Sequence, residues 1–231
     1  MFFQKKFEPT KFLFTKVVLL AIFISLIPCT NATAFVSKKS NGDKVQKLLK
    51  SGKTEEAKKM FQSKIDINET DSSGNTALHT AAQMNDSDLV SYLIFKGANP
   101  ELKNYSGNTP LHIALKTGNL ASAAILAPIK SSIFSRDGQG DTALEIALIK
   151  GKSYYPIVIN EKTANLTDDQ GRNIVHYIVE SENLEALQYC VKNSIPLSVV
   201  DANGKTPLSI AYQKNSEKGI ELASILLLAG C

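Results

Sequence analysis

The side chains best suited to chemistry in this chain are His79, His112 and His176, together with Cys29, Cys190, Cys231 and a scatter of single acids. Imidazoles bind zinc or act as general bases, and thiolates ligate metals or act as nucleophiles. The spacing here argues against both uses. Each histidine fills one slot of a recurring stretch: Gly74-Asn75-Thr76-Ala77-Leu78-His79, Gly107-Asn108-Thr109-Pro110-Leu111-His112 and the worn Gly171-Arg172-Asn173-Ile174-Val175-His176. Stacked units of this kind lie roughly a helix diameter apart, about 10 Å, whereas zinc holds each ligand at about 2 Å. Histidines one unit apart therefore do not share a metal. No glycine-rich phosphate loop follows a strand and no nucleophile elbow occurs. The expectation is a chain that is not an enzyme and that uses no cofactor and no metal.

The elements that position these side chains are set by a period. Glycines fall at 74, 107 and 140, two steps of 33, and Gly204 lies 33 beyond Gly171. Further copies read Gly140-Asp141-Thr142-Ala143-Leu144-Glu145 and Gly204-Lys205-Thr206-Pro207-Leu208-Ser209. A fixed interval of this length means stacked supersecondary units. Asp71, Asp137, Asp168 and Asp201 precede the glycines and suit a turn, while the glycine takes a backbone angle that side chains resist. Thr76, Thr109, Thr142 and Thr206 cap a helix whose first position Pro110 and Pro207 occupy without losing a needed N–H. Leu then faces inward, small Ala81, Ala114, Ala147 and Ala211 admit a second helix, and Asn85, Gly118, Gly151 and Asn215 offer left-handed stops. A second apolar helix follows, as in Leu89, Val90, Leu93 and Ile94.

This pattern resembles the ankyrin repeat, whose signature is a turn, Thr-Pro-Leu-His, a helix, a turn and a second helix ending in Gly-Ala. Residues 71 to 103 match almost throughout, ending in Lys96-Gly97-Ala98-Asn99. The resemblance covers about 40–231, with a capping pair at 40–70 and repeats starting near 71, 104, 137, 168 and 201, the one at 168 degenerate. It implies an all-α solenoid of helix-turn-helix units with turn or β-hairpin tips. It also implies that the histidines hold each turn through hydrogen bonds to the neighbouring threonine and backbone. Glu145 and Ser209 depart from the expected His. Pro128 shortens one second helix, and around Tyr154-Tyr155-Pro156 another looks short and shifted.

Ahead of the repeats, residues 1–34 carry Lys5, Lys6, Lys11 and Lys16, an apolar run from Val17 to Ile27 broken by Ser25, then Pro28 and Ala32-Thr33-Ala34. That is a secretory-signal layout. Cleavage after Ala34 fits best; a single-pass anchor through 12–27 and lipidation at Cys29, where Pro28 fits poorly, stay open. Residues 35–39 read as a linker. The leader's four lysines against Glu8 contribute +3 of the chain's +4, leaving +1 for the remainder. That balance does not suit neutralising many phosphates, so nucleic acid is not an expected partner. Cys190 falls in a core slot and pairing with Cys231 would require close approach from an adjacent repeat. Asn-x-Ser/Thr triplets such as Asn68-Glu69-Thr70, Asn85-Asp86-Ser87, Asn104-Tyr105-Ser106 and Asn165-Leu166-Thr167 are what an asparagine-rich chain produces by chance.

The function the resemblance implies is recognition of another protein through a concave face of tips and first helices. The expected role is an exported adaptor in the bacterial envelope or periplasm; a secreted effector on a host protein, or an inhibitor or protective subunit of an enzyme, are the alternatives. Membrane contact is expected only through an uncleaved leader. The family's contact slots fall on Met84, Tyr105, Asn108, Lys116, Gln139, Asp141, Ile149, Arg172 and Lys205, among others. Met84, Tyr105 and Ile149 are large apolar groups for which the core has no use, and Arg172 is one of two arginines in the chain. Tyr105 and Arg172 are accordingly expected to matter for binding more than for stability, and Lys116 is read as an exposed lysine that is replaceable at little cost. The apolar end of the last helix, Ile225-Leu226-Leu227-Leu228, is the second candidate surface.

Overall fold

The computed structural model of the protein describes residues 41–63, 65–129 and 132–231. The leader at 1–34, its anchor stretch and Cys29, and the linker at 35–39 lie outside the described residues. Among those described there are thirteen helices and no strand; the only pairing of strand type is an isolated antiparallel bridge between Arg136 and Thr142. The tips are thus turns rather than hairpins.

A capping pair comes first, α1 (Asn41–Lys50) and α2 (Thr54–Gln62). The next repeats are α3 (Ala77–Met84) with α4 (Ser87–Phe95), and α5 (Pro110–Thr117) with α6 (Leu120–Leu126). After α7 (Ala143–Lys150) the second helix is split into α8 (Tyr155–Val158) and α9 (Glu161–Ala164). The last two repeats are α10 (Ile174–Glu180) with α11 (Leu184–Lys192), and α12 (Pro207–Gln213) with α13 (Glu217–Leu228). First helices pack on first helices in the order α1, α3, α5, α7, α10, α12, which makes one continuous layer.

Local chemistry explains the boundaries. Thr76, Thr109, Thr142 and Thr206 sit extended at helix N-caps, and Pro110 and Pro207 occupy the first helical position. Asn85 and Gly118 stop α3 and α5 in the left-handed region, at φ 55° and 81°. The degenerate repeat puts Glu182 in that same slot at φ 53°, although it is neither Gly nor Asn. α6 ends at Leu126, with Ala127 still at helical angles (φ −59°, ψ −39°) and Pro128, which has no N–H to donate, next in the chain. Leu78, Leu111, Leu144 and Val175 are fully buried, as are Ala81, Ala114 and Ala147 that let the helices close up. Each buried leucine contributes roughly 1.5–3 kcal/mol of transfer free energy. Cys190 is buried in the core, burial pushing its thiol up to about 12, and both Cys190 and Cys231 are free.

Candidate protein-binding face

The face begins with the tips, and each tip is folded by one side chain. Asp71 accepts hydrogen bonds from the backbone N–H of Ser73 and Asn75 at 2.9 and 2.8 Å. Asp137, Asp168 and Asp201 repeat this with Gln139 and Asp141, Gln170 and Arg172, Asn203 and Lys205. Asn104 does the same for Ser106 and Asn108, at 3.1 and 3.0 Å, so an amide oxygen serves where four carboxylates do. Reading the slot as Asp alone missed that Asn104 fills it in the repeat starting near 104; the shared ability of Asp and Asn to form such turns was the available signal. Close stacking of tips also demands glycine. A side chain on Gly107 would meet the Gly138 backbone N at 2.4 Å, and Gly107 itself has φ 73°.

Histidine joins tip to helix and repeat to repeat. The Thr76 N–H donates to His79 Nδ1 at 3.1 Å, and Nε2 lies 3.0 Å from the Asn108 carbonyl of the next tip. Because a backbone N–H can only donate, Nδ1 accepts and the proton sits on Nε2. His112 makes the same pair of contacts to Thr109 and Asp141, and His176 to Asn173 and Lys205. Burial holds the His79 and His112 rings below the ordinary imidazole value. Glu145 and Ser209 reproduce only the capping half, receiving the N–H of Thr142 at 2.7 Å and of Thr206 at 2.9 Å.

The contact slots divide by environment. Tyr105 and Ile149 are 80% and 81% exposed and Met84 is 42% exposed, three of the large apolar groups that the core leaves out. The Tyr105 ring lies over the preceding tip, 2.7 Å from where a side chain on Gly74 would begin. Gln139 and Lys205 are exposed, and Asn108 and Asp141 are half-buried.

Lys116 and Arg172 correct the sequence reading. Lys116 is half-buried; its Nζ lies 2.6 Å from Asp137 Oδ2 and 2.8 Å from Asn108 Oδ1, which ties two repeats together. Burial alone would push the Asp137 carboxyl up, but Lys116 and the two tip N–H groups outweigh it and hold it at about 2. Arg172 is not a free anchor either. Its guanidinium meets Asp168 at 2.8 Å, Glu180 at 3.2 Å and the Tyr177 hydroxyl at 2.9 Å, and lies 4.6 Å from the Tyr177 ring centre. The partners Asp168 and Glu180 lie four residues before and eight after it, a spacing that crosses the tip and escapes helical periodicity. Arg172 and Lys205 do share a groove of about 460 Å³ between the last two repeats, lined also by Glu180, Ile210 and Lys214.

Comparison with known proteins agrees with this geometry. A family model described as "Ankyrin repeats (3 copies)" matches residues 35–137 and 155–231. The chain belongs to the ankyrin-repeat family, and as such it is a protein-interaction module. Rabankyrin-5 of Mus musculus is 30% identical over 163 residues, covering 68% of this chain and 14% of the relative. The glycerophosphocholine phosphodiesterase gde1 of Schizosaccharomyces pombe is 36% identical over 106 residues, 43% of this chain and 9% of that protein. The chain thus spans a small part of the relatives it matches. Among solved structures, a chain of the complex between the predatory endopeptidase Bd0816 of Bdellovibrio bacteriovorus and immunity protein Bd3460 matches with a TM-score of 0.48 and 24% identity, over 81% of this chain and 97% of that one.

Proposed function

We propose that the protein is an exported adaptor of the bacterial envelope or periplasm that holds another protein on its face of tips and first helices. The observation that carries the binding face is the pair Tyr105 and Ile149, each about four-fifths exposed on that face. Large apolar groups placed there lose nothing to the core and gain area only when a partner covers them. Export is supported by the lysine-rich start, the apolar run and Ala32-Thr33-Ala34, and the family match begins at residue 35, the first residue after that site. Among the described residues no helix is long and apolar enough to cross a membrane, so any anchoring falls to the leader.

Two measurements test the two halves. N-terminal sequencing of the protein from an envelope or periplasmic fraction should give Phe35; an intact Met1 in the cytoplasmic fraction would end the export reading, and an intact start in the membrane would favour the anchor. For binding, a protein co-purified with the wild type should be lost with the Tyr105→Ala/Ile149→Ala double variant. Retention of that protein by the variant would move the interface elsewhere.

A further inference from the structure

We infer that the groove between the last two repeats receives an acidic segment of the partner protein, whose side-chain carboxylates lie against Lys205 and Lys214. This deepens, and rests on, the reading of the tips and first helices as the binding face. The groove encloses about 460 Å³, and Ile210 gives it an apolar, buried floor. Its two carboxylates are already satisfied within the chain. Glu180 meets Arg172 at 3.2 Å, and Asp201 accepts the N–H groups of Asn203 and Lys205.

The two ammonium groups are held differently. Lys205 Nζ lies 3.3 Å from the neutral Gln213 amide oxygen and has no carboxylate within 4.0 Å among the described residues. Lys214 donates to the Glu180 backbone carbonyl, and the carboxylate that comes near it, Glu182, stands at 4.0 Å. Lys205 is therefore oriented by a neutral acceptor, and Lys214 by a neutral carbonyl with a single carboxylate at the edge of ion-pair reach. An ammonium carries three N–H donors, so each lysine keeps donors for an incoming acceptor.

The arrangement recurs along the face. Lys150 donates to the Lys116 carbonyl at 3.1 Å, as Lys214 does to that of Glu180, each acceptor lying 34 positions earlier. In the repeat between them the equivalent slot is Ser181, so the two oriented lysines stand two repeats apart. So few cations do not suit a nucleic-acid backbone, where a duplex carries a charge about every 1.7 Å. A short acidic peptide segment suits the pair Lys205 and Lys214.

The test uses the full chain and fluorescein-labelled acetyl-hexaglutamate-amide at low salt, with hexaglutamine and hexalysine peptides as probes of charge. Hexaglutamate should bind, hexaglutamine at least about tenfold more weakly. Lys205→Glu/Lys214→Glu should lose hexaglutamate and gain hexalysine, and Lys205→Gln/Lys214→Gln should lose the first without gaining the second. Circular dichroism of both variants should match the wild type. Lys47→Glu/Lys50→Glu on α1 should leave hexaglutamate binding unchanged. Equal weakening by the α1 variant, equal binding of hexaglutamine, or no binding of hexaglutamate would overturn the assignment. If hexaglutamate fails while Tyr105→Ala/Ile149→Ala still loses its co-purified protein, the groove assignment falls and the binding face stands.

Discussion

A histidine whose Nδ1 must accept a backbone N–H is useful to this fold only while it is neutral. The ordinary imidazole value is 6.5, and burial lowers it in the folded His79 and His112, so the unfolded chain takes up these protons first. Their contribution to stability is complete above pH 6.5 and falls as pH drops below it. Denaturant unfolding at pH 7.5 and 5.0 should show the wild type weaker at the lower pH. His79→Glu/His112→Glu, which copies the capping seen at Glu145, should flatten that slope; an unchanged slope would contradict the neutral state assigned to the two buried rings. Lys116→Ala tests the other residue-scale contact. Removing the Asp137 partner should cost about 1–3 kcal/mol at pH 7, against at most about 0.5 kcal/mol for a free surface lysine. The Asp137 carboxyl is lowered from 3.8 to about 2, so the penalty should be full above 3.8 and narrow as pH falls toward about 2. The histidine slots, the core leucines and the exposure of Met84, Tyr105 and Ile149 were legible in the sequence because a period fixes what each position faces. Lys116 was not, since whether a long cation reaches a carboxylate in the next tip depends on distances between repeats that the period does not encode; Arg172 was not, since its two carboxylates, four residues before it and eight after, lie across its own tip rather than along one helix.

At the scale of elements, the junction between α7 and α10 departs from the others. The spacing drops from 33 to 31 there, and Glu145 in place of histidine leaves no imidazole to reach the next tip. Aromatic contacts take over: Phe134 stacks on Tyr177 with ring centres 5.4 Å apart, and Tyr155 meets the edge of Tyr189 at 5.8 Å and donates to Asn183 at 3.2 Å. The split second helix is short for a physical reason. Pro156 sits at the start of α8, and Asn160 ends that turn by accepting from the N–H groups of Lys162 and Thr163, which begins a new one. Two four-residue helices make few internal hydrogen bonds, so amide exchange in α8 and α9 should be the fastest among the helices between α3 and α12. Phe134→Ala should cost about 2 kcal/mol or more and raise exchange in α10 as well. Exchange there no faster than in α4 would mean that the junction is as firm as its neighbours. The sequence showed the irregularity through Pro156 and the shortened period; the replacement contacts were hidden because Phe134 and Tyr177 lie in different repeats and in non-equivalent slots.

Across the whole molecule, each repeat buries its faces only against its neighbours, so stability accumulates along the stack. Leu111→Ala, in the middle, removes a fully buried side chain and should cost about 2–5 kcal/mol in an unfolding experiment. In the last unit Leu228 is 90% exposed and Leu208 is only half-buried, where its counterparts Leu78, Leu111 and Leu144 are sealed. The architecture therefore offers two kinds of apolar surface: side chains at contact slots on the tips and first helices, and side chains such as Phe95 and Leu228 at the ends of second helices. Binding falls to the first kind in the proposed function. The most direct measurement is the affinity of the co-purified protein, by isothermal titration, for Tyr105→Ala/Ile149→Ala and for Phe95→Ala, which removes an aromatic side chain exposed to 84%. Binding at least about tenfold weaker, or about 1.4 kcal/mol, in the first variant with unchanged affinity in the second is the expected result; the reverse order would contradict the assignment of the binding face.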